Sequence, residues 1–125
     1  MAKITVLLDT DIFIDYFNTG RFHALFDSSR FTVYFSIVTQ KELLTKDGLR
    51  NSEREAIQAE LTRCRPIPLS NSITSRYSDL RRRYPSLEKA DALIAATALI
   101  KRLPLLTRNK RHFQVVHGLT LFGEG

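Results

Sequence analysis

The amino-acid sequence predicts an α/β domain in which helices cover both faces of a mostly parallel sheet of about five strands. The first observation is the apolar, β-branched run Ile4–Leu8, which is typical of a strand buried on both faces in such a sheet. The second is that short strand-like runs alternate with helix-length segments, as in βαβ units. The third is that no repeat, low-complexity stretch or linker divides residues 1–125. We therefore expect a single domain.

In the first half of the chain, apolar residues recur at helical spacing in several segments that end at Gly, Asn or Asp. Aromatic and β-branched residues mark the second strand. The predicted elements, in order, are a helix over Thr10–Asn18, a short helix over Arg21–Asp27, a strand over Thr32–Phe35, a helix from Ser36–Thr39 to about Lys46, and a helix from Asn51 or Ser52 to about Arg63.

In the second half, prolines decide where several elements lie. Pro66 suits only an edge strand, Pro85 ends the helix before it, and Ser86 is the expected N-cap of an apolar helix packed inside the protein. The predicted elements, in order, are an edge strand over Pro66–Leu69, a helix from Ser70 or Ser72 to about Tyr84, a helix over Leu87–Arg102, a strand over Leu103–Thr107, one helical turn over Lys110–Phe113 and a strand over Leu119–Phe122.

The composition narrows the class of protein. The net charge of +6 favours polyanionic partners, nucleic acid above all. The longest apolar stretch, Ala92–Ile100, is too short to span a bilayer, and no secretory signal is visible. Cys64 is the only cysteine, which excludes an internal disulfide and a cysteine-based zinc site. A reducing cytoplasm is the expected location.

Three acidic residues, Asp9, Glu42 and Asp91, follow predicted strands or begin predicted helices. Each has a local structural explanation. Asp9 could be the N-cap of its helix, and Asp91 could favour the positive end of a helix dipole. Thr39 and Glu42 have the spacing of a capping box.

The combination of these acids favours a functional hypothesis. Because the carboxyl ends of parallel strands share one edge of a sheet, all three side chains should converge there. Carboxylates about 5 Å apart repel by about 3 kcal/mol at an effective dielectric of 20, so a cation is needed. Oxygen ligands without His or Cys select a hard ion, Mg²⁺ or Mn²⁺. Together with the basic composition, this predicts metal-assisted phosphodiester hydrolysis.

Four stretches carry these acids and their neighbours: Leu8–Asp11, Thr39–Leu43, Lys89–Ala98 and Leu106–Phe113. In this order and at this spacing they resemble the motifs of PIN-domain proteins, and most closely those of VapC-type toxins of bacterial and archaeal toxin–antitoxin modules. The resemblance covers essentially the whole chain, through Gly118–Leu121. It implies a Rossmann-like, three-layer α/β/α sandwich and a Mg²⁺- or Mn²⁺-dependent endoribonuclease.

By motif, Asp9, Glu42 and Asp91 match the metal-binding, catalytic acids of that family. Asn109 stands where many relatives carry a fourth aspartate. The resemblance therefore implies a weakened second metal site, because a neutral amide binds a divalent ion less well than a carboxylate. Asn109 can still orient a water or a carboxylate.

Other residues near the same edge have secondary roles. Thr10 and Thr107 are expected to hydrogen-bond to a ligand or a metal-bound water. Asp11 either supports the metal ligands from outside or simply favours its helix dipole. Asp15, one turn later, is expected at the surface, and the metal scheme does not require His112.

Four basic residues are candidate contacts to RNA phosphates: Arg108, Lys110, Arg111 and Arg82, the last within a run of three arginines. The alternative for each of these four residues is that its charge is solvated at the surface and binds no ligand.

Three alternatives belong to other classes of protein. Leu7–Asp11 also fits the Asp-x-Asp motif of haloacid-dehalogenase-like phosphatases, but Phe13 replaces the expected Thr or Val and no late pair of acids follows. A phosphoacceptor receiver domain would need an aspartate at the end of a central strand, which the second and third strands lack. The non-enzymatic rival is a basic module that binds RNA or protein without cutting, and Asn109 keeps it open.

The resemblance also implies partners. Relatives form homodimers and are inhibited by a small antitoxin, which lays a helix in an apolar groove and often places a basic side chain near the acidic pocket. We accordingly expect an RNA substrate, a cognate antitoxin and a homodimer, with no membrane association.

Overall fold

The computed structural model describes residues 3–123, which contain four strands and seven helices. In chain order these are β1 (Ile4–Leu8), α1 (Thr10–Thr19), α2 (His23–Asp27), β2 (Phe31–Ser36), α3 (Ile37–Leu44), α4 (Asn51–Leu61), β3 (Arg65–Ile67), α5 (Asn71–Arg83), α6 (Lys89–Lys101), β4 (Leu105–Leu106) and α7 (Lys110–Phe113).

The four strands form one parallel sheet in the order β3-β2-β1-β4. The central strand β1 ends at Leu8, which lies opposite Phe35 of β2 and Leu106 of β4. Because all strands run in the same direction, the residues that follow β1, β2 and β4 meet at one edge. This is the edge to which the sequence assigns the acids.

Two apolar clusters cover opposite faces of the sheet, and β1 contributes to both by its alternation. Leu7 joins the cluster under α5, α6 and α7, whereas Val6 and Leu8 join the cluster under α1–α4. Both faces of β1 are therefore buried, and the predicted three-layer sandwich with a central parallel sheet is confirmed.

The predicted fifth strand, Leu119–Phe122, is reduced to a single bridge. Leu105 donates its backbone N–H to the carbonyl of Thr120 and accepts from the N–H of Phe122, and Leu105 and Leu121 are the bridge partners. β4 is itself only two residues long, so it offers little ladder for a neighbour to extend.

Two helix starts also differ from the sequence prediction. The short helix α2 begins at His23 rather than Arg21, because Phe22 has a φ of 68°, outside the helical region. The long apolar helix α6 has Glu88 at its N-cap position rather than Ser86. None of the helices in residues 3–123 is long and apolar enough to cross a membrane.

The cluster beneath α1 is built around Phe13, which is fully buried. Its ring lies 5.6 Å from that of Phe26 and 6.1 Å from that of Phe35. These contacts fix α1, and hence the acids at its start, against the sheet.

We predict that Phe13→Ala lowers the free energy of unfolding by about 3–5 kcal/mol, because it leaves a cavity among these rings. Ile14→Ala is the matched control on the same helix, since Ile14 is 41% exposed, and we expect it to cost less than about 1 kcal/mol. Urea unfolding followed by circular dichroism measures both. Equal losses for the two variants would contradict this account of the core.

Candidate active site

Asp9 lies immediately after β1 and is 6% exposed. It is the N-cap of α1, because its Oδ1 accepts the backbone N–H of Thr10 at 2.8 Å. Its Oδ2 accepts the hydroxyl of Thr107, from the loop after β4, also at 2.8 Å. The local reading of Asp9 as a helix cap is thus correct, and the same carboxylate also joins two neighbouring strand ends.

Glu42 does not belong to a capping box. The N-cap of α3 is Ser36, whose Oγ accepts the N–H of Val38, so Thr39 lies inside the helix and is fully buried. Glu42 instead accepts the hydroxyl of Thr10 at 2.9 Å, from 32 residues away. The tertiary contact, rather than the local spacing, determines where this carboxylate lies.

Thr10 connects these two elements. Its hydroxyl lies 2.9 Å from Glu42 Oε1 and 2.9 Å from the hydroxyl of Thr39. The start of α1 is thereby held against α3, with Asp9 and Glu42 on either side of the contact. The prediction that Thr10 lies beside the acids is consistent with this geometry.

Asp91 lies in the first turn of α6 and is partly buried. Burial is the largest effect that raises its pKa, to about 6, and the charge of Asp9 is the second. The pKa of Asp9 is also raised to about 6, first by burial and then by the charge of Asp11. Glu42 raises the pKa of both. The three acids are thus close enough to oppose one another's ionisation.

None of these three acids is neutralised by an ion pair within the described part of the chain. The ion pairs within residues 3–123 involve none of Asp9, Glu42 and Asp91. His112 lowers the pKa of Asp91, but less than burial and Asp9 raise it. The carboxylate oxygens and their mutual repulsion fit a hard divalent ion.

The acidic side chains do not form a complete set of metal ligands in their present positions. Within residues 3–123, no three His, Cys, Asp or Glu side chains are placed together so as to hold an ion as they stand. Glu42 lies on the exposed side of the site and is held by Thr10. Asp9 and Asp91 are therefore the residues whose electrostatics most need a cation, and a third ligand would require a side-chain movement.

Thr107, which is 3% exposed, holds the loop after β4 in place. Its Oγ1 donates to Asp9 and accepts the N–H of Asn109 at 2.9 Å. The Asn109 side chain hydrogen-bonds to Nδ1 of His112 at 2.8 Å. Asn109, the residue that the resemblance aligns with a fourth aspartate, therefore contacts the first turn of α7.

Asp15 is not a free surface residue, contrary to the sequence prediction. Its side chain is 14% exposed and pairs with Arg108 at 3.0 Å and with Arg21 at 3.6 Å. The backbone N–H of Arg108 donates to Asp11, whose pKa is raised mainly by burial. Asp11 and Asp15 lie one turn apart on α1, a spacing that could have signalled a shared partner.

The four basic candidates differ in how their side chains are engaged. Arg108 pairs with Asp15, and Arg82 pairs with Asp79 on the same helix. Arg111 and Asp91 line a cleft of about 340 Å³ between the start of α6 and α7. Lys110 lies at the first position of α7 and is exposed.

An apolar groove lies on the other side of Glu42, between α1, α3 and α4. Its volume is about 380 Å³, and Thr10 and Glu42 are at its margin. Ile14 contributes to it although this side chain is 41% exposed. The other apolar residues that line the groove are Phe17, Leu43, Leu49, Ala56 and Ile57.

Comparison with known proteins places the chain in a family. A family model described as PIN domain matches residues 6–118. Ribonuclease VapC1 of Methanocaldococcus jannaschii is 30% identical over 114 residues, which cover 87% of this chain and 79% of that protein. Ribonuclease VapC10 of Mycobacterium tuberculosis is 35% identical over 88 residues, or 67% of this chain and 65% of that protein.

Solved structures agree with this assignment. A toxin–antitoxin complex from Klebsiella pneumoniae contains a chain with a TM-score of 0.75 and 31% identity, covering 92% of this chain and 95% of that one. VapBC2 from Rickettsia felis, with a TM-score of 0.81 and 22% identity over 94% of this chain and 97% of that one, shows the same fold. The chain therefore belongs to the PIN-domain family, among the VapC-type ribonucleases.

Proposed function

We propose that this protein is a divalent-metal-dependent endoribonuclease and the toxin of a VapBC-type toxin–antitoxin module. The observation that carries the proposal is the raised pKa of Asp9 and Asp91, two carboxylates at one edge of the sheet that form no ion pair within residues 3–123. Perturbed acids gathered in this way are more typical of a catalytic site than of a structural one.

Asp9, Glu42 and Asp91 are the residues that would hold Mg²⁺ or Mn²⁺. When bound there, the ion would polarise a phosphoryl oxygen of RNA and lower the pKa of the attacking water. The protein's own contribution is to position the ligands. Thr107 and the N–H of Thr10 fix the two oxygens of Asp9, and the hydroxyl of Thr10 holds Glu42.

RNA binding is assigned to the basic residues around this site. Arg111 lines the cleft beside Asp91, and Lys110 lies next to it on α7. Arg108 is held against Asp15, so its guanidinium is a weaker candidate for a phosphate contact. Arg82 shares an exposed pair with Asp79, which a phosphate can readily replace.

A cognate antitoxin is the second proposed partner, and the apolar groove between α1, α3 and α4 is its proposed docking site. Apolar side chains from α1, α3 and α4 line the groove together with Thr10 and Glu42. An amphipathic helix could fill it, and a basic residue beyond that helix would reach the acids. We also propose a homodimer, following the family.

A second candidate function is a PIN-like module that binds RNA or protein without cutting. Two observations favour it: no complete ion cage stands ready in residues 3–123, and Asn109 is engaged with His112. Cleavage of RNA by the purified protein with Mn²⁺, abolished by excess EDTA, separates the two functions. Cleavage that persists in EDTA would remove the metal mechanism.

We predict that Asp9→Asn, Glu42→Gln and Asp91→Asn each lower kcat for RNA cleavage by about a hundredfold or more, because each removes a proposed metal ligand. Asp47→Asn is the control, since Asp47 is exposed in a loop. Initial rates on a fluorescently labelled RNA measure the effect, and circular dichroism checks folding. Wild-type rates in the Asp9 or Asp91 variant would refute the proposed site.

Stability should depend on pH in a direction set by Asp9 and Asp91. Each has a pKa of about 6 when folded against an ordinary value of 3.8, so the folded state binds the proton more tightly. Protonation therefore favours folding, and this contribution is lost as the pH rises from about 4 to about 6.

We predict that, in EDTA, Asp9→Asn gains stability relative to wild type as the pH rises from 5 to 7.5, because Asn mimics the protonated acid and still caps α1. Adding Mn²⁺ at pH 7.5 should raise the Tm of wild type more than that of the variant. Differential scanning fluorimetry measures both shifts. A gap between wild type and variant that does not change with pH would contradict the assigned pKa direction.

We predict that Ile14→Asn weakens the complex with the proposed cognate antitoxin by at least about tenfold in Kd, because it places a polar side chain in the groove. Leu69→Asn is the control, since Leu69 is 43% exposed and lies outside the groove. Isothermal titration calorimetry of the purified proteins measures the affinity. Equal affinities for the two variants would exclude this groove as the docking site.

A further inference from the structure

A cleft of about 340 Å³ opens directly beside Asp91 and has two chemically different walls. The start of α6 contributes the acidic Glu88, and α7 with the residues after it contributes Arg111 and Val115. Val115 is 57% exposed, which is unusual for a large apolar side chain in this protein. The cleft therefore offers a positive charge, a negative charge and an apolar surface within reach of a proposed catalytic acid.

Both walls are fixed by contacts to the core, so the cleft is formed in advance of any ligand. Phe113 and Val116 are buried and anchor the segment that carries Arg111 and Val115. On the other side, Leu87 is buried and its carbonyl accepts the guanidinium of Arg81. A preformed cleft loses less entropy when it binds a ligand.

The charged groups of the cleft are not used by the fold. Glu88 lies at the N-cap position of α6, yet its side chain makes no capping hydrogen bond. Within residues 3–123, neither Glu88 nor Arg111 takes part in a side-chain hydrogen bond or an ion pair. Arg82 and Arg108, in contrast, are paired with Asp79 and Asp15. Arg111 is thus free to bind a phosphate without breaking a contact.

We propose that this cleft is the subsite for the nucleotide next to the scissile phosphate and that it selects a base carrying an exocyclic amino group. Arg111 contacts the phosphate of that nucleotide, Val115 packs against the face of its base, and Glu88 accepts the amino N–H of the base edge. The inference rests on the proposed ribonuclease function and adds a specificity determinant to it.

The dimensions and chemistry of the cleft support one nucleotide rather than a longer segment. A volume of about 340 Å³ lies at the lower end of small-ligand sites. A carboxylate accepts hydrogen bonds only, so Glu88 matches the amino groups of guanine, adenine or cytosine. Uracil has no amino group, and its single N3–H lies between two carbonyl oxygens that repel a carboxylate. The nucleotide would lie between Arg111 and Asp91, which places its phosphate beside the proposed catalytic acids.

The test uses the purified protein, residues 1–125, and a pool of short RNAs that are randomised around the cleavage site. Sequencing the fragment ends gives the base preference at each position. We expect wild type to disfavour uracil at one position adjacent to the cut by about tenfold, and Glu88→Gln to reduce this discrimination to within about twofold, because an amide can also donate to uracil. Glu55→Gln, an exposed change on α4, should keep the wild-type preference.

A second measurement follows binding separately from chemistry. In EDTA, Arg111→Ala should raise the Kd for a fluorescein-labelled RNA by about five- to tenfold in anisotropy titrations, whereas Arg76→Ala, which removes an exposed arginine of α5, should change it by less than twofold. With Mn²⁺, Arg111→Ala should raise KM more than it lowers kcat.

Three outcomes would overturn the inference while leaving the ribonuclease intact. The first is an unchanged base preference in Glu88→Gln, and the second is equal RNA affinity of Arg111→Ala and Arg76→Ala. The third is that Glu88→Gln or Arg111→Ala binds the antitoxin more weakly but cuts RNA as wild type does. The last would show that a peptide, and not a nucleotide, occupies the cleft. If wild type neither binds nor cuts RNA, the proposed function itself fails.

Discussion

The placement of Asp9 at the end of the central strand is the constraint on which the site depends. Its carboxylate is buried, and its two oxygens accept hydrogen bonds from Thr10 on α1 and from Thr107 after β4. These bonds join the start of α1 to the loop after β4, yet they do not remove the cost of burying a charge, which is why the pKa of Asp9 rises to about 6. The fold therefore retains a carboxylate that is positioned but not neutralised.

The fold was predictable from the sequence wherever one signal dominated. The buried strand Ile4–Leu8 and the alternation of strands and helices led to a parallel three-layer sandwich, which is what the structure shows. The fifth strand was overestimated because an apolar run does not reveal whether its neighbour is long enough to pair with it. β4 has two residues, so Leu119–Phe122 contributes only one bridge.

The sequence identifies an acid of the candidate site most directly where its local contacts and its tertiary contacts agree. Asp9 caps a helix, as its local position indicated, and also bonds across the sheet, whereas its role as a metal ligand stays a prediction. Glu42 shows the limit of local spacing. Thr39 is buried and bonds to Thr10 instead of capping the helix, and the hydroxyl that Glu42 accepts belongs to Thr10, 32 residues away. Asp15 was misjudged for the same reason, because its partner Arg108 lies far away in the sequence. The distance in sequence hid the Asp15–Arg108 pair, and only the one-turn spacing of Asp11 and Asp15 on α1 could have indicated a shared partner.

Net charge alone does not identify which basic residues contact a polyanion. Arg82 and Arg108 contribute to the charge of +6, but each is paired with an aspartate, and a phosphate must first displace that partner. Arg111 has no partner within residues 3–123 and faces the same cleft as Asp91. Because an unpaired guanidinium requires no such exchange, it gains more from a phosphate than a paired one does. Arg111 therefore differs from Arg82 and Arg108 because its guanidinium is unpaired and lies beside one of the acids, and this is why we propose it as the phosphate contact.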